Sequence, residues 1–222
     1  MWELCSGSAT VAAVFKECGW EVWTLDIEPS CRPDHVGNLM NYTYEELCDL
    51  SGFEPDFIWF SPPCQTFSIA NLHSGHFEKR GNLSVPVTTE GREACRFVLH
   101  GLDIIRASNS AYSVVENPRG LLRKQSMMKQ FPRCTVTYCQ YGMSCMKPTD
   151  LWGFFPYSWT PRACKAGDDC HDASPRGAGL GLASIRTAQD RAKVPRDLAY
   201  SLAFAATKDF PMRSGILSER WV

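Results

Sequence analysis

The sequence predicts an α/β protein with a Rossmann-like architecture: a mostly parallel, twisted sheet with helices on both faces. Three observations carry this. Short apolar runs alternate with segments of helical spacing along much of the chain. The opening reads as strand, glycine turn, helix, and a second strand ending in an acid. And the apolar run Phe57-Ile58-Trp59-Phe60 stops at Ser61-Pro62-Pro63-Cys64. A double proline neither extends a ladder nor enters a helix interior, so it ends a buried strand on a stiff turn.

The elements follow in order. Leu4-Cys5 is expected as a short first strand and Ser6-Gly7-Ser8 as the turn after it. Ala9 to Cys18 carries Val11, Val14, Phe15 and Cys18 at helical spacing, with Gly19 as the stop. Trp20 to Leu25 alternates as a strand ending at Asp26, and Phe57 to Phe60 is a later, buried strand. Asn71 to Glu90 is polar, contains glycine, and is long enough to be a mobile loop. Gly91 to Ala107 is a helix, and Ala111 to Val115 a strand ending at Glu116. Leu121 to Gln130 reads as a short helix and Cys134 to Tyr138 as a strand. Pro156 to Gln189 has little periodicity and reads as a small insertion. Pro195 to Ala206 is the final helix, with proline suited to its first turn.

With 222 residues, 44% hydrophobic and 21% charged, the chain has the composition of a soluble globular protein. No apolar run reaches the roughly 18 residues of a membrane span, and the start has no signal-peptide core, so a cytoplasmic setting is expected. Eleven scattered cysteines, an odd number, argue for reduced thiols over a disulfide framework. The net charge of −1 is unevenly spread. Residues 1–60 hold eleven acids and two bases, while Arg119, Arg123, Lys124, Lys129 and Arg133 cluster later, as do Arg186, Arg191, Lys193 and Arg196. That asymmetry suits one polyanion-facing side, and solvated helix faces suit it equally.

Ligands of open α/β sheets collect at the carboxyl ends of strands. Gly7 with Asp26, Cys64, and Glu116 are all expected there. A thiol taken alone is as a rule a buried structural cysteine, and a lone Glu a capping or paired acid. Their convergence with a glycine turn argues for chemistry.

Glu3-Leu4-Cys5-Ser6-Gly7, Ser61-Pro62-Pro63-Cys64-Gln65-Thr66-Phe67-Ser68, Glu116-Asn117-Pro118-Arg119 and Tyr141-Gly142 resemble successive motifs of the cytosine-5 DNA methyltransferases. They occur in that family's order at compatible spacings. Val194-Pro195, followed by Leu198 and Leu202, is similar to its last motif. The resemblance implies a class I S-adenosylmethionine-dependent methyltransferase fold and methyl transfer to carbon 5 of cytosine in DNA. It implies Cys64 as the nucleophile that adds to carbon 6 of a flipped-out base, and Glu116 as a protonated donor to ring nitrogen 3. It places the cofactor against Cys5, Gly7, Ser8, Asp26, Ile27, Asn38, Pro63 and Val194. It places nucleic acid against Gln65, Ser68, Arg119 and Lys147, with Asn71–Glu90 as the segment that closes over the base. Partners implied are double- or single-stranded DNA, with RNA possible, and the chain is expected to act as a monomer. The small size suits a phage enzyme in a bacterial or phage-infected cell.

The pattern departs from the family at the cofactor turn, at Asn38, after Tyr141-Gly142, at Arg191-Ala192, which stand where the last motif opens on Gly-Asn, and in size. Ser8, Ala9 and Thr10 replace a bulkier residue and two glycines, and Cys5 stands where the family has an adenine-stacking Phe. Asn38 replaces an Asp. Cys145, Lys147 and Thr149 replace a Gln and two Arg, and Lys147 is expected to keep a phosphate contact. Finally, residues 153–191 form a much reduced target-recognition insertion between a catalytic core over 1–152 and a returning helix over 192–222. That insertion is too short for its own core without a metal or partner. No metal is assigned; Cys164, Cys170 and His171, with or without another cysteine, are the candidate zinc ligands, at a spacing unlike a standard finger. Two alternatives stay open: cytosine-5 methylation of a tRNA-like RNA, and a binding module that has lost turnover. An exocyclic amino methyltransferase shares Ser-Pro-Pro but wants an aromatic residue where Cys64 stands.

Overall fold

The computed structural model describes residues 1–172 and 187–210. A seven-stranded sheet runs through the molecule. Its strands are β1 (Trp2–Leu4), β2 (Trp23–Asp26), β3 (His35–Val36), β4 (Phe57–Phe60), β7 (Tyr112–Pro118), β8 (Arg133–Thr137) and β9 (Pro148–Phe154), in the order β3-β2-β1-β4-β7-β9-β8. The remaining two strands, β5 (Phe77–Arg80) and β6 (Leu83–Pro86), form a separate hairpin. The first five strands of the sheet order pair in parallel, and β9 runs antiparallel to both β7 and β8. The chain builds outward from β1 to β3, then returns to β1's other side with β4. The switch point of the topology therefore lies between β1 and β4. This is the expected Rossmann-like class I architecture, mostly parallel with helices on both faces.

Alternation along the strands decides which face each residue serves. Phe57 and Trp59 pack with Val11, Val14 and Phe15 of α1 (Thr10–Glu17) and with Leu198, Ala199, Leu202 and Ala203 of α5 (Arg196–Asp209). Ile58 and Phe60 pack on the other face with Val98, Leu102 and Ile105 of α3 (Thr89–Ala107) and with Leu47 of α2 (Tyr44–Ser51). β7 divides the same way, Val114 to the first face and Val115 to the second. The apolar runs are thus double-sided, as strands buried beneath two helical layers must be. Helix α4 (Ala188–Ala192) leads into α5. Among the described residues, no helix is long and apolar enough to cross a membrane.

The sequence expectations need five corrections. The first strand ends at Leu4, because Cys5 takes a left-handed conformation at φ 59°. The second begins only at Trp23. Leu121 to Gln130 forms two 3-10 turns, Leu121–Lys124 and Ser126–Gln130, in place of one α-helix. Asn71–Glu90 is no featureless loop. It holds the antiparallel β5–β6 hairpin, joined through Gly81-Asn82. The hairpin is closed at its base by the Val87 N–H on the His76 carbonyl. Other elements went unread: α2, with a complete Thr43/Glu46 capping box, β3, β9 and the short α4. Of the predicted insertion, residues 173–186 lie outside the described residues, as do 211–222 of the returning segment and Arg186 of the basic cluster.

Candidate active site

Four strand ends meet at the switch point. β1 delivers the turn from Cys5 to Ala9, in which Cys5, Gly7 and Ala9 all have φ between 50° and 59°. Two of these are not glycine, so the turn stores strain of the kind found at ligand clamps. It is held by the Asp26 carboxylate at the end of β2. One oxygen accepts the Gly7 N–H at 2.8 Å and the other the Glu28 N–H at 2.9 Å. Glu3, buried in β1, accepts the Ala12 N–H at 2.7 Å. It supplies from β1 the cap that α1 lacks locally, since Ala9 makes no side-chain cap bond. Burial outweighs these donors and lifts the Glu3 carboxyl to about 8.

β4 delivers Pro62, Pro63 and Cys64; β7 delivers Glu116. Glu116 is buried and accepts the Tyr138 hydroxyl at 2.8 Å. Burial pushes its carboxyl upward, against the pull of the Lys147 ammonium and of hydrogen bonds from Tyr138 and Ser61. The Cys64 thiol is also pushed up, first by burial and then by the neighbouring Glu116 charge, while Lys147 draws it down. The two groups are coupled: a neutral Glu116 removes the repulsion that disfavours a Cys64 thiolate.

The loops that carry them are stitched together. The Asn117 side-chain amide donates to the Pro62 carbonyl at 3.1 Å, and the Leu121 N–H to the Phe67 carbonyl at 2.8 Å. Gly120 sits between, where a Cβ would lie 2.3 Å from the Phe67 oxygen, so only glycine permits this approach.

Most of the predicted residues line one cleft. Cys5, Gly7, Ser8, Pro63, Cys64, Gln65, Glu116, Lys147 and Val194 surround a solvent-open cleft of about 150 Å³. Glu3, Ser6, Ser61 and Lys193 also line it and were missed. The Ser6 hydroxyl is buried there without a hydrogen-bond partner, a polar atom in want of one. Asp26, Ile27 and Asn38 are not among the cleft-lining residues. Asp26 braces the glycine turn, Ile27 is 66% exposed, and Asn38 accepts the Met40 N–H at 3.0 Å as an ordinary turn cap.

Arg119 is exposed, Ser68 half-buried. Lys147 corrects its expectation as a phosphate contact. It is only 4% exposed, its ammonium 2.8 Å from the Arg191 carbonyl and 4.5 Å from the centre of the Tyr138 ring. It faces the Cys64–Glu116 pair. The basic clusters are also partly spent internally: Arg123 pairs with fully buried Asp150, Arg196 with Glu17, and Lys193 with Asp190.

No protein-family model matches this sequence. The chain is 28% identical over 173 residues to a protein of Frog virus 3 described as "Probable DNA (cytosine-5)-methyltransferase", covering 76% of each chain. Over most of its length the sequence thus resembles a protein described as a cytosine-5 DNA methyltransferase. It is also 34% identical over 99 residues to the DNA N-6-adenine-methyltransferase of Escherichia phage P1, covering 38% of this chain and 13% of that protein. Among solved structures it is similar to the methyltransferase EhMeth of Entamoeba histolytica, with a TM-score of 0.49, 14% identity, and coverage of 74% and 56% of the two chains. It is also similar to DNMT2 of Spodoptera frugiperda, with a TM-score of 0.44, 15% identity, and coverage of 78% and 56%. The chain spans only about half the length of these solved methyltransferases.

Proposed function

We propose that this protein transfers a methyl group from S-adenosylmethionine to carbon 5 of cytosine in DNA, through a covalent adduct on Cys64 with the base flipped out of its stack. The observation that carries the reading is the meeting of Cys64, a buried Glu116 and the strained glycine turn in one cleft at the switch point.

The cleft suits the cofactor. The backbone at Gly7 is open to close approach, and the orphaned Ser6 hydroxyl offers a hydrogen bond to a polar ligand. Cys5, Gly7, Ser8, Pro63 and Val194 would hold it, with Asp26 shaping the turn. S-adenosylmethionine, when bound, supplies the methyl group as a sulfonium electrophile.

The residues divide the remaining work. The Cys64 thiolate forms a bond to carbon 6 of the ring, and the carbon 5–carbon 6 π electrons move toward carbon 5 and the nitrogen 3 side. Glu116, whose carboxyl burial pushes upward, donates from its protonated form to nitrogen 3 and offsets the charge that develops there. Tyr138 and Ser61 hold the carboxyl in place. Lys147 favours the thiolate electrostatically. Carbon 5 then takes the methyl group. Loss of its proton to an acceptor restores the ring double bond as the sulfur–carbon 6 bond breaks, returning the electron pair to Cys64.

Gln65, which lines the cleft, Ser68 and Arg119 remain the proposed nucleic-acid contacts. The hairpin β5–β6 takes the place of the proposed closing loop. Residues 1–152 form the proposed catalytic core, with 153–191 as the recognition segment. The viral and phage relatives favour a setting inside an infected cell.

The test is nucleoside mass spectrometry after incubation with S-adenosylmethionine and duplex DNA, single-stranded DNA or tRNA in parallel. 5-Methylcytosine in a DNA arm is the expected result. Its appearance in the tRNA arm alone would move the reaction to RNA. The phage P1 relative favours one other reading, methylation of an exocyclic amine, which N6-methyladenine in the same assay would reveal.

A further inference from the structure

We propose that this protein holds one structural zinc ion through Cys139, Cys164, Cys170 and His171. The four come from two distant segments. Cys139 lies in the 3-10 turn after β8, and the other three lie in the stretch after β9. Their donor atoms all fall within 4.8 Å of one another. The Cys139 and Cys164 sulfurs are 3.2 Å apart, Cys139 and Cys170 3.7 Å, and His171 Nδ1 lies 3.4 Å from Cys170 and 3.7 Å from Cys164. A tetrahedral zinc with bonds of about 2.3 Å to sulfur and about 2.0 Å to nitrogen puts its ligands about 3.5–3.8 Å apart. The cluster is therefore already near the size of a three-Cys, one-His site.

A disulfide explains less. It would use two of the three thiols and leave the third sulfur and the imidazole gathered for nothing. A zinc site uses all four donors and closes the coordination sphere, which makes it structural. Its surroundings also fit. The Thr137 hydroxyl oxygen accepts the Cys164 N–H at 2.9 Å and lies 3.3 Å from the Cys164 sulfur, orienting a ligand from the second layer.

The need is visible too. From Pro161 to Asp169 the chain is almost wholly exposed and contributes no residue to either apolar core. A few polar contacts dock this stretch: the Thr137 N–H on the Arg162 carbonyl, the Arg162 N–H on the Tyr141 hydroxyl, and the Asp172 N–H on the Ser144 carbonyl. Such a stretch lacks the apolar burial that holds the rest of the fold, and a metal supplies the missing free energy. Through Cys139 the ion is one residue from Tyr138, whose hydroxyl bonds Glu116. It thus fastens the segment after β9 to the wall of the cleft.

The inference is independent of the proposed methyl transfer. The whole chain, purified under reducing conditions without chelator, is expected to carry one zinc by elemental analysis. Replacement by Co2+ is expected to give the visible bands of a tetrahedral thiolate site. Cys139→Ser and Cys170→Ser should each lose the ion, and His171→Asn should weaken binding in competition with a chromophoric chelator. Cys64→Ala and Cys48→Ser should keep one zinc each, which separates failure of this site from failure of the chemistry. Chelation should speed proteolysis within 161–172. A reduced chain that binds neither Zn2+ nor Co2+, or a Cys139–Cys164 disulfide in the protein's peptide map, would overturn the proposal.

Discussion

Cys64 and Cys139 both follow the carboxyl end of a strand, and they emerge at the same edge of the sheet. Their neighbours differ completely. Cys64 stands on a proline turn beside one buried acid and one buried lysine, facing a solvent-open cleft. Cys139 is met by two more thiols and an imidazole. A thiol meant to form a transient carbon bond needs access and a tunable charge environment. Soft donors crowded at tetrahedral spacing are suited to a metal that takes them out of covalent chemistry. In the two proposals the same residue type at the same edge of one sheet thus takes opposite duties, according to what surrounds it.

Four experiments break or sharpen that contrast. The largest effect is expected from Cys64→Ala: methyl transfer to DNA should fall below detection in a radiolabel assay, while zinc content is unchanged. Activity that persists would place the nucleophile elsewhere. Next, Glu116→Ala should cost on the order of 10²–10⁴ in kcat. Glu116→Gln should cost less, because an amide still donates to the ring; equal losses in both would argue that the proton itself is transferred.

Lys147→Met should then raise the Cys64 pKa, seen as slower alkylation by iodoacetamide below the thiol's titration. The rising limb of the rate profile should move to higher pH. For each pH unit that the limb moves, the rate at neutral pH should fall about tenfold. An unmoved profile would return Lys147 to a packing role.

The smallest effect concerns stability. The Glu3 pKa is raised from 4.5 to about 8 on folding, so the native state keeps a proton that the unfolded chain has lost between those values. This contribution is fully present below pH 4.5 and lost as pH rises through about 8. In urea titrations across that window, Glu3→Gln should flatten the decline. A steeper decline in the variant would contradict the assignment.

How much of this is legible in the residues alone depends on range. The run Phe57–Phe60 matches its strand bound for bound, because an apolar run closed by two prolines is a local signal. Cys64 and Glu116 are placed by their strands, and the sheet order then brings them together. β9 escapes notice because it opens on a proline and is buried within an antiparallel ladder, where no alternation marks it. The hairpin escapes because its strands are short, and Glu78, Lys79 and Arg80 are exposed and charged. The Thr43-x-x-Glu46 box that starts α2 is a legible local signal that went unread. Charge alone suggests a surface phosphate contact for Lys147, and only the packing of Tyr138 and the Arg191 carbonyl shows it inside. Cys139, twenty-five positions from Cys164, joins the cluster of thiols and imidazole through topology alone.

The stitching of the Cys64 loop to the Glu116 loop bears on motion. With the Asn117 amide, the Leu121 N–H and a bare Gly120 joining their backbones, the proposed nucleophile and the proposed acid are tied directly to one another. In the proposed reaction, gating around a base would then fall to parts outside that pair, the β5–β6 hairpin first among them. Changes in the hairpin should then alter how often the site closes, and leave untouched how well it performs once closed.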